Sequence, residues 1–120
     1  MTRARVAVVG VTVAWRRAER VAEIARAGLE MGSFFRAATY ERDNRRVGQA
    51  IQLLQEAAKI GAHVNTSDQA VLRLLIGTEV ELGRLLREEN EAYWAAVHID
   101  RAFELSSGLT DADNATIRTR

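Results

Sequence analysis

The chain contains no proline, and this absence restricts its fold more than any other feature. Proline is the residue that most firmly ends a helix, because it lacks the backbone N–H donor and its ring clashes with the preceding turn. One residue in six is alanine, the strongest helix former. Long helices with few obligatory breaks are therefore expected, and the sequence predicts an all-α fold.

Size and composition predict a single domain. A chain of 120 residues buries roughly 65% of the surface that it exposes when unfolded. With 48% hydrophobic residues, 28% charged residues and a net charge of +1, it does not have the composition of a disordered chain. We divide residues 1–120 into an apolar N-terminal segment (1–14), a helical core (15–107) and a tail (108–120).

The N-terminal segment is rich in β-branched residues. Residues 6–13 include five valines and a threonine, which favour an extended backbone. No second strand-like run is present in the chain, so the segment either pairs as a strand with another copy or continues into the first helix. About ten apolar residues are too few for the roughly 20 that cross a bilayer, and we expect no membrane span.

From Trp15 onwards, apolar residues recur at steps of three and four, which is typical of an amphipathic helix. Polar residues 39–46 follow, and we expect a break or kink between Gly32 and Asn44. The predicted apolar side of this first helix contains Ala18, Val21, Ala22, Ala25, Leu29, Gly32 and Phe35.

Three further helices are predicted. The second has Asp43 or Asn44 as a cap and Gly61 as its stop. The third, capped by Thr66 or Ser67, runs over residues 70–87 and is buried on nearly all sides between residues 71 and 76. A polar hinge at 87–90 precedes the fourth, which ends near residues 107–108. The four helices are expected to form two antiparallel hairpins.

The second hairpin resembles a tetratricopeptide repeat. Its spacing of small and large residues matches that family at Leu82, Gly83, Leu86, Ala95, Ile99 and Ala102. The first hairpin shows a weaker match to the same spacing, with a link six residues longer. The matching residues are Met31, Gly32, Phe35, Ala50, Leu54 and Ala57. The resemblance covers residues 20–107 at most, and both units lack the family's early tryptophan and closing proline. A generic helical bundle is the alternative fold.

The resemblance implies a partner site. The first helix of each repeat lines a concave groove in that family, and the inward positions would include Arg26, Arg36, Arg84 and Arg87. Guanidinium groups donate paired hydrogen bonds to carboxylates, so a groove of this kind suits an acidic segment of another protein. Since two repeats fall short of the three that usually make a stable stack, we expect a capping segment or a second copy.

Charge is divided unevenly along the chain. Arginine supplies sixteen of the seventeen basic residues, and the halves before and after Ile60 carry +5 and −4. This division favours self-association or an anionic partner. The steps between Arg42, Arg45 and Arg46 would place them on one side of a helix, where they could contact phosphates. A nucleic-acid-associated or virion packaging protein is therefore the alternative function.

Catalytic patterns are missing from the sequence. His98 and Glu91 lie seven residues apart on the fourth helix, but the paired Glu-x-x-His motifs of di-iron bundles are absent. We expect no cofactor, no metal and no enzymatic activity, and read the aromatic residues as core or interface anchors. The sequence predicts a non-catalytic, cytoplasmic protein-interaction or assembly subunit that forms homo-oligomers, a virion location being the alternative.

Overall fold

Four helices make up the computed structural model, which describes residues 2–64 and 68–109, with side chains from residue 10. They are α1 (Thr2–Asp43), α2 (Val47–His63), α3 (Gln69–Glu88) and α4 (Ala92–Ser106), and no strand occurs within those ranges. The predicted all-α fold with four helices is confirmed. The expected caps Thr66 and Ser67, and most of the predicted tail, lie outside the described residues.

Helices adjacent in the chain are adjacent in space. α1 packs on α2 and α3 packs on α4, while α2 also packs on α3 and joins the two hairpins. α3 contacts all three other helices and carries most of the buried leucines. Of residues 71–76, predicted to be buried on nearly all sides, Val71, Leu72 and Leu75 are buried, two are half-buried and Arg73 is exposed.

The valine-rich segment belongs to α1. The helix runs unbroken from Thr2 to Asp43, so the strand alternative is wrong for this chain by itself. At about 1.5 Å per residue, its 42 residues account for most of the 67 Å long axis of the molecule. The break that the sequence predicted between Gly32 and Asn44 occurs only at the end of that range. Gly32 does not break the helix, because a glycine in a helix interior costs only about 1 kcal/mol and α2 packs along the surrounding turns.

Both hairpins close through the same three-residue turn. Arg45 and Asn90 each adopt a left-handed φ of 63°, as is typical of the residue that follows a helix in a Schellman motif. In each turn the next N–H donates to the carbonyl five residues earlier: Arg46 to Glu41 at 2.8 Å and Glu91 to Leu86 at 2.8 Å. The expected caps Asp43 and Asn44 end α1 instead, and Arg46 is at the N-cap of α2 without a side-chain bond.

Equal turns place Ala38, rather than Gly32, in the position that corresponds to Gly83. Ala38 is buried with Ala50 and Leu54, just as Gly83 lies against Ala95 and Ile99. The link of the first hairpin, which the sequence analysis made six residues longer than that of the second, is therefore the same length as its counterpart in the structure. Gly32 does not contact α2; a Cβ there would meet the Arg36 guanidinium instead.

Gly61 is a packing residue and not the predicted helix stop. α2 continues to His63, and Gly61 is buried where α1, α2 and α3 meet. A Cβ at this position would lie 2.7 Å from Leu75 Cδ1 and 2.8 Å from Met31 Cε. α3 then begins at Asp68, whose carboxylate accepts a hydrogen bond of 3.0 Å from the Val71 N–H. This cap replaces the predicted Thr66 or Ser67.

The buried side of α1 is not the side that the sequence marked as apolar. Ala27, Met31 and Ala38 are buried, with Phe34 and Phe35 half-buried beside them. Ala18, Val21, Ala22, Ala25 and Leu29 are all exposed. Met31, Phe34 and Phe35 pack into the core against α2 and α3, whereas Val21 and Leu29 remain exposed.

We expect Gly83→Ala to destabilise the fold. The new Cβ would lie 2.6 Å from Ile99 Cδ1 and 3.2 Å from the Ala95 carbonyl oxygen. Overpacking costs about 1–3 kcal/mol, and the better helix propensity of alanine returns about 1 kcal/mol of that. Gly77→Ala in the same helix, where a Cβ meets nothing within 4 Å, should stabilise by about 0.5–1 kcal/mol. Urea unfolding measures both, and equal effects would contradict the close α3–α4 contact.

Candidate interaction surface on the first helix

An unbroken row of exposed small and apolar side chains follows the solvent side of α1. We call it the outer stripe, and all its members are exposed: Val11, Trp15, Ala18, Ala22, Ala25 and Leu29. The steps between them are four, three, four, three and four residues. This spacing of about 3.5 residues is that of a coiled-coil seam, in which one helix packs along another.

The large members of the outer stripe are strongly exposed. Val11 has 70%, Trp15 62% and Leu29 73% of its surface open to solvent. Single exposed apolar residues are ordinary, but a contiguous apolar patch on a soluble domain marks an interaction surface. Residues 10–23 are all exposed, so none of them is buried against another helix.

Charge beside the outer stripe is sparse. Glu19 and Arg26 each follow a small member of the stripe by one residue, and both are exposed. The positions of Arg16, Arg17 and Arg20 along the helix place them on the other side, in line with the buried residues Ala27 and Met31. These three arginines therefore point away from the stripe, whereas Arg26 lies beside it and Arg36 lies in line with it.

The four arginines expected to line a groove divide between two helices. Arg26 and Arg36 are exposed on α1, where Arg26 flanks the outer stripe and Arg36 follows Leu29 by seven residues. Arg84 and Arg87 are exposed on α3. The Arg84 guanidinium binds Glu81 Oε1 at 2.5 Å, one turn away.

The trio proposed for phosphate binding does not share one side of a helix. α1 ends at Asp43, so Arg42 is in its last turn, Arg45 is in the turn, and Arg46 begins α2. Nη1 of Arg42 binds Glu81 Oε1 of α3 at 2.6 Å, and Nη2 binds Asp43 at 3.2 Å. Arg46 pairs with Glu41 and lies 5.8 Å from the Tyr40 ring centroid.

These ion pairs shift the pKa of Glu41, Arg42 and Arg46. The hydrogen bond from Arg46 lowers the pKa of Glu41, and the same bond raises the pKa of Arg46. Bonds to Glu81 and then Asp43 raise the pKa of Arg42. A phosphate would have to displace carboxylates from Arg42 and Arg46, so these contacts disfavour a nucleic-acid interface at the turn.

A groove separates α2 from α4, and α3 forms its floor. Its volume is about 520 Å³. Nδ1 of His98 on α4 lies 2.5 Å from Glu79 Oε2 on α3, and Glu79 is only 2% exposed. The sequence offered Glu91 as the companion of His98 and missed Glu79, whose hydrophobic neighbours in α3 gave no sign of a polar contact. Among residues 10–64 and 68–109, no three possible metal ligands cluster.

Comparison of the chain with protein-family models, curated proteins and solved structures gives no match. The tetratricopeptide resemblance of the second hairpin thus rests on its own residues. Within the described part of the chain, the helices lack the combination of length and hydropathy that a membrane crossing requires.

We expect His98→Ala to destabilise the fold, because it leaves the buried Glu79 carboxylate without its histidine partner. Loss of one partner of a buried polar pair costs about 1–3 kcal/mol. The exposed His63 offers a matched control, and His63→Ala should stay within about 0.5 kcal/mol of the original chain. Chemical unfolding measures both, and equal free energies of unfolding would show that the pair adds no net stability.

We expect Glu41→Gln to alter the acid limb of the stability profile. The pKa of Glu41 is lowered in the fold from its ordinary value of 4.5. Its pairing therefore contributes stability above pH 4.5, and this contribution disappears as the pH falls through the lower folded pKa. The variant should be slightly less stable at pH 7 and equal to the original chain near the acid end of the titration. Thermal unfolding between pH 7 and pH 3 checks this, and parallel curves would contradict it.

Proposed function

We propose that this chain is a non-catalytic protein-interaction or assembly subunit that self-associates through the outer stripe of α1. The observation that carries the proposal is the exposure of a regular apolar seam along α1, which packs on the rest of the molecule only from residue 24 onwards and through its other side. The resemblance of the second hairpin to tetratricopeptide units, which bind other proteins, supports the same class of function.

The energies support association through this surface. Covering a valine or leucine side chain contributes about 1.5–3 kcal/mol, and tryptophan buries a larger area. Two copies together would cover six such side chains from Val11, Trp15 and Leu29, or roughly 9–18 kcal/mol. This gain is comparable with the roughly 4–15 kcal/mol that association costs in lost freedom.

The alternative, a nucleic-acid-associated packaging protein, gains no support from the contacts. Arg42 and Arg46 are bound to carboxylates of the same chain. By contrast, nothing in the described residues covers the outer stripe.

We expect the chain to run as an oligomer in size-exclusion chromatography with light scattering, and Leu29→Glu to weaken that association at least tenfold. Leu29 is 73% exposed, so the charge should leave folding intact, which circular dichroism verifies. Phe103→Glu on α4, at an apolar residue that is 81% exposed, serves as the matched control and should keep the oligomer. A monomer at every concentration of the original chain would overturn the proposal.

A further inference from the structure

We infer that two copies of this chain pair through their outer stripes with their α1 helices antiparallel, centred on Ala22 and Ala25. The inference rests on the proposed function and adds the partner, the direction and the register. A second copy is the occupant because the outer stripe is complementary to itself in one particular alignment.

The sizes of the side chains determine that alignment. When Ala22 of one copy faces Ala25 of the other, the same offset places Leu29 opposite Ala18 and Trp15 opposite Gly32. Trp15 and Leu29 then each meet a small residue, so the helices can approach closely there, while Val11 lies opposite Arg36 at each end of the overlap. A Cβ added at Gly32 would lie 3.2 Å from the Arg36 guanidinium, with no atom of another helix within 4 Å, and a flexible side chain of that kind can move aside for an indole.

The charges agree with the same alignment independently. In an antiparallel pair, the residues that follow the small members of the seam face one another. Glu19 of each copy then lies opposite Arg26 of the other, which gives two equivalent ion pairs about the two-fold axis. A parallel pair would place Glu19 opposite Ala14 and Arg26 opposite Val21, with no ion pair, and would set Trp15 against itself.

The rest of the molecule leaves room for this arrangement. α2 and α3 pack mainly on the side of α1 that carries Ala27, Met31 and Ala38, and the start of α3 lies beside Val21 and Ala25 at the edge of the outer stripe. The two four-helix bodies would therefore lie on opposite sides of the α1 pair. Overlap from Val11 to Arg36 corresponds to about 40 Å of paired helix. Such an interface is isologous and closes at two copies.

The chain has no cysteine, so a single introduced cysteine can be spin-labelled selectively. The exposed residues Ser33 and Glu23 are suitable sites. Double electron–electron resonance on Ser33→Cys should give a separation of about 30 Å along the paired axes, while Glu23→Cys, close to the two-fold axis, should give a clearly shorter distance. A parallel pair would make both distances similarly short.

Charge exchange tests the register through a second measurement. Glu19→Arg and Arg26→Glu should each raise the dimer Kd roughly three- to tenfold by placing like charges opposite one another, and the double variant should recover the original Kd. If the double variant does not recover the original dimer Kd, the proposed register is wrong.

The outcomes separate this inference from the proposed function. Dimers that persist with two short distances, or without rescue by the double variant, would overturn the antiparallel alignment and leave self-association standing. Loss of association in Phe103→Glu but not in Leu29→Glu would indicate head-to-tail contact through α4 and overturn this alignment as well. The absence of any oligomer would overturn both the antiparallel alignment and the proposed self-association.

Discussion

The fold depends on close approach of paired helices at small residues. In the first hairpin Ala38 meets Ala50 and Leu54, and in the second Gly83 meets Ala95 and Ile99. Gly61 allows the same kind of approach where the two hairpins meet, against Leu75 of α3 and Met31 of α1. Because side chains of this size let backbones come together, the leucines of α3 can reach both neighbouring helices and form the core.

α1 differs from the other helices because it has one packed side and one unpartnered side. Its length exceeds what α2 covers, and the segment from residue 10 to residue 23 extends beyond the hairpin with every side chain exposed. A helix of this kind is poorly explained as part of a monomeric domain, since most helical stability comes from tertiary packing. Contact with another copy would provide that packing and join the structure of α1 to the proposed role.

The polar contacts within the molecule add links between helices that also pack on one another through the apolar core. Arg42 at the end of α1 binds Glu81 of α3, and Arg84 shares the same carboxylate. Glu79 of α3 meets His98 of α4 beside the groove. Arginines that appeared from the sequence to be available for ligands are thus used partly for internal pairing. Sequence spacing within one helix did not identify Glu81 as the partner of Arg42 or Glu79 as the partner of His98, because each of these contacts joins residues from different helices.

The sequence by itself determined that the chain is helical, where the third and fourth helices end, and that the helices form hairpins. These properties follow from local causes: alanine content, the lack of proline, apolar periodicity and the polar stretches at 39–46 and 87–90. Only the tertiary structure decided which side of α1 is buried, which residue of the first hairpin corresponds to Gly83, and which charges are paired. Periodicity shows that a helix has an apolar side, but α1 has two, and the choice depended on the fit of Met31 and Phe34 against residues distant in the chain.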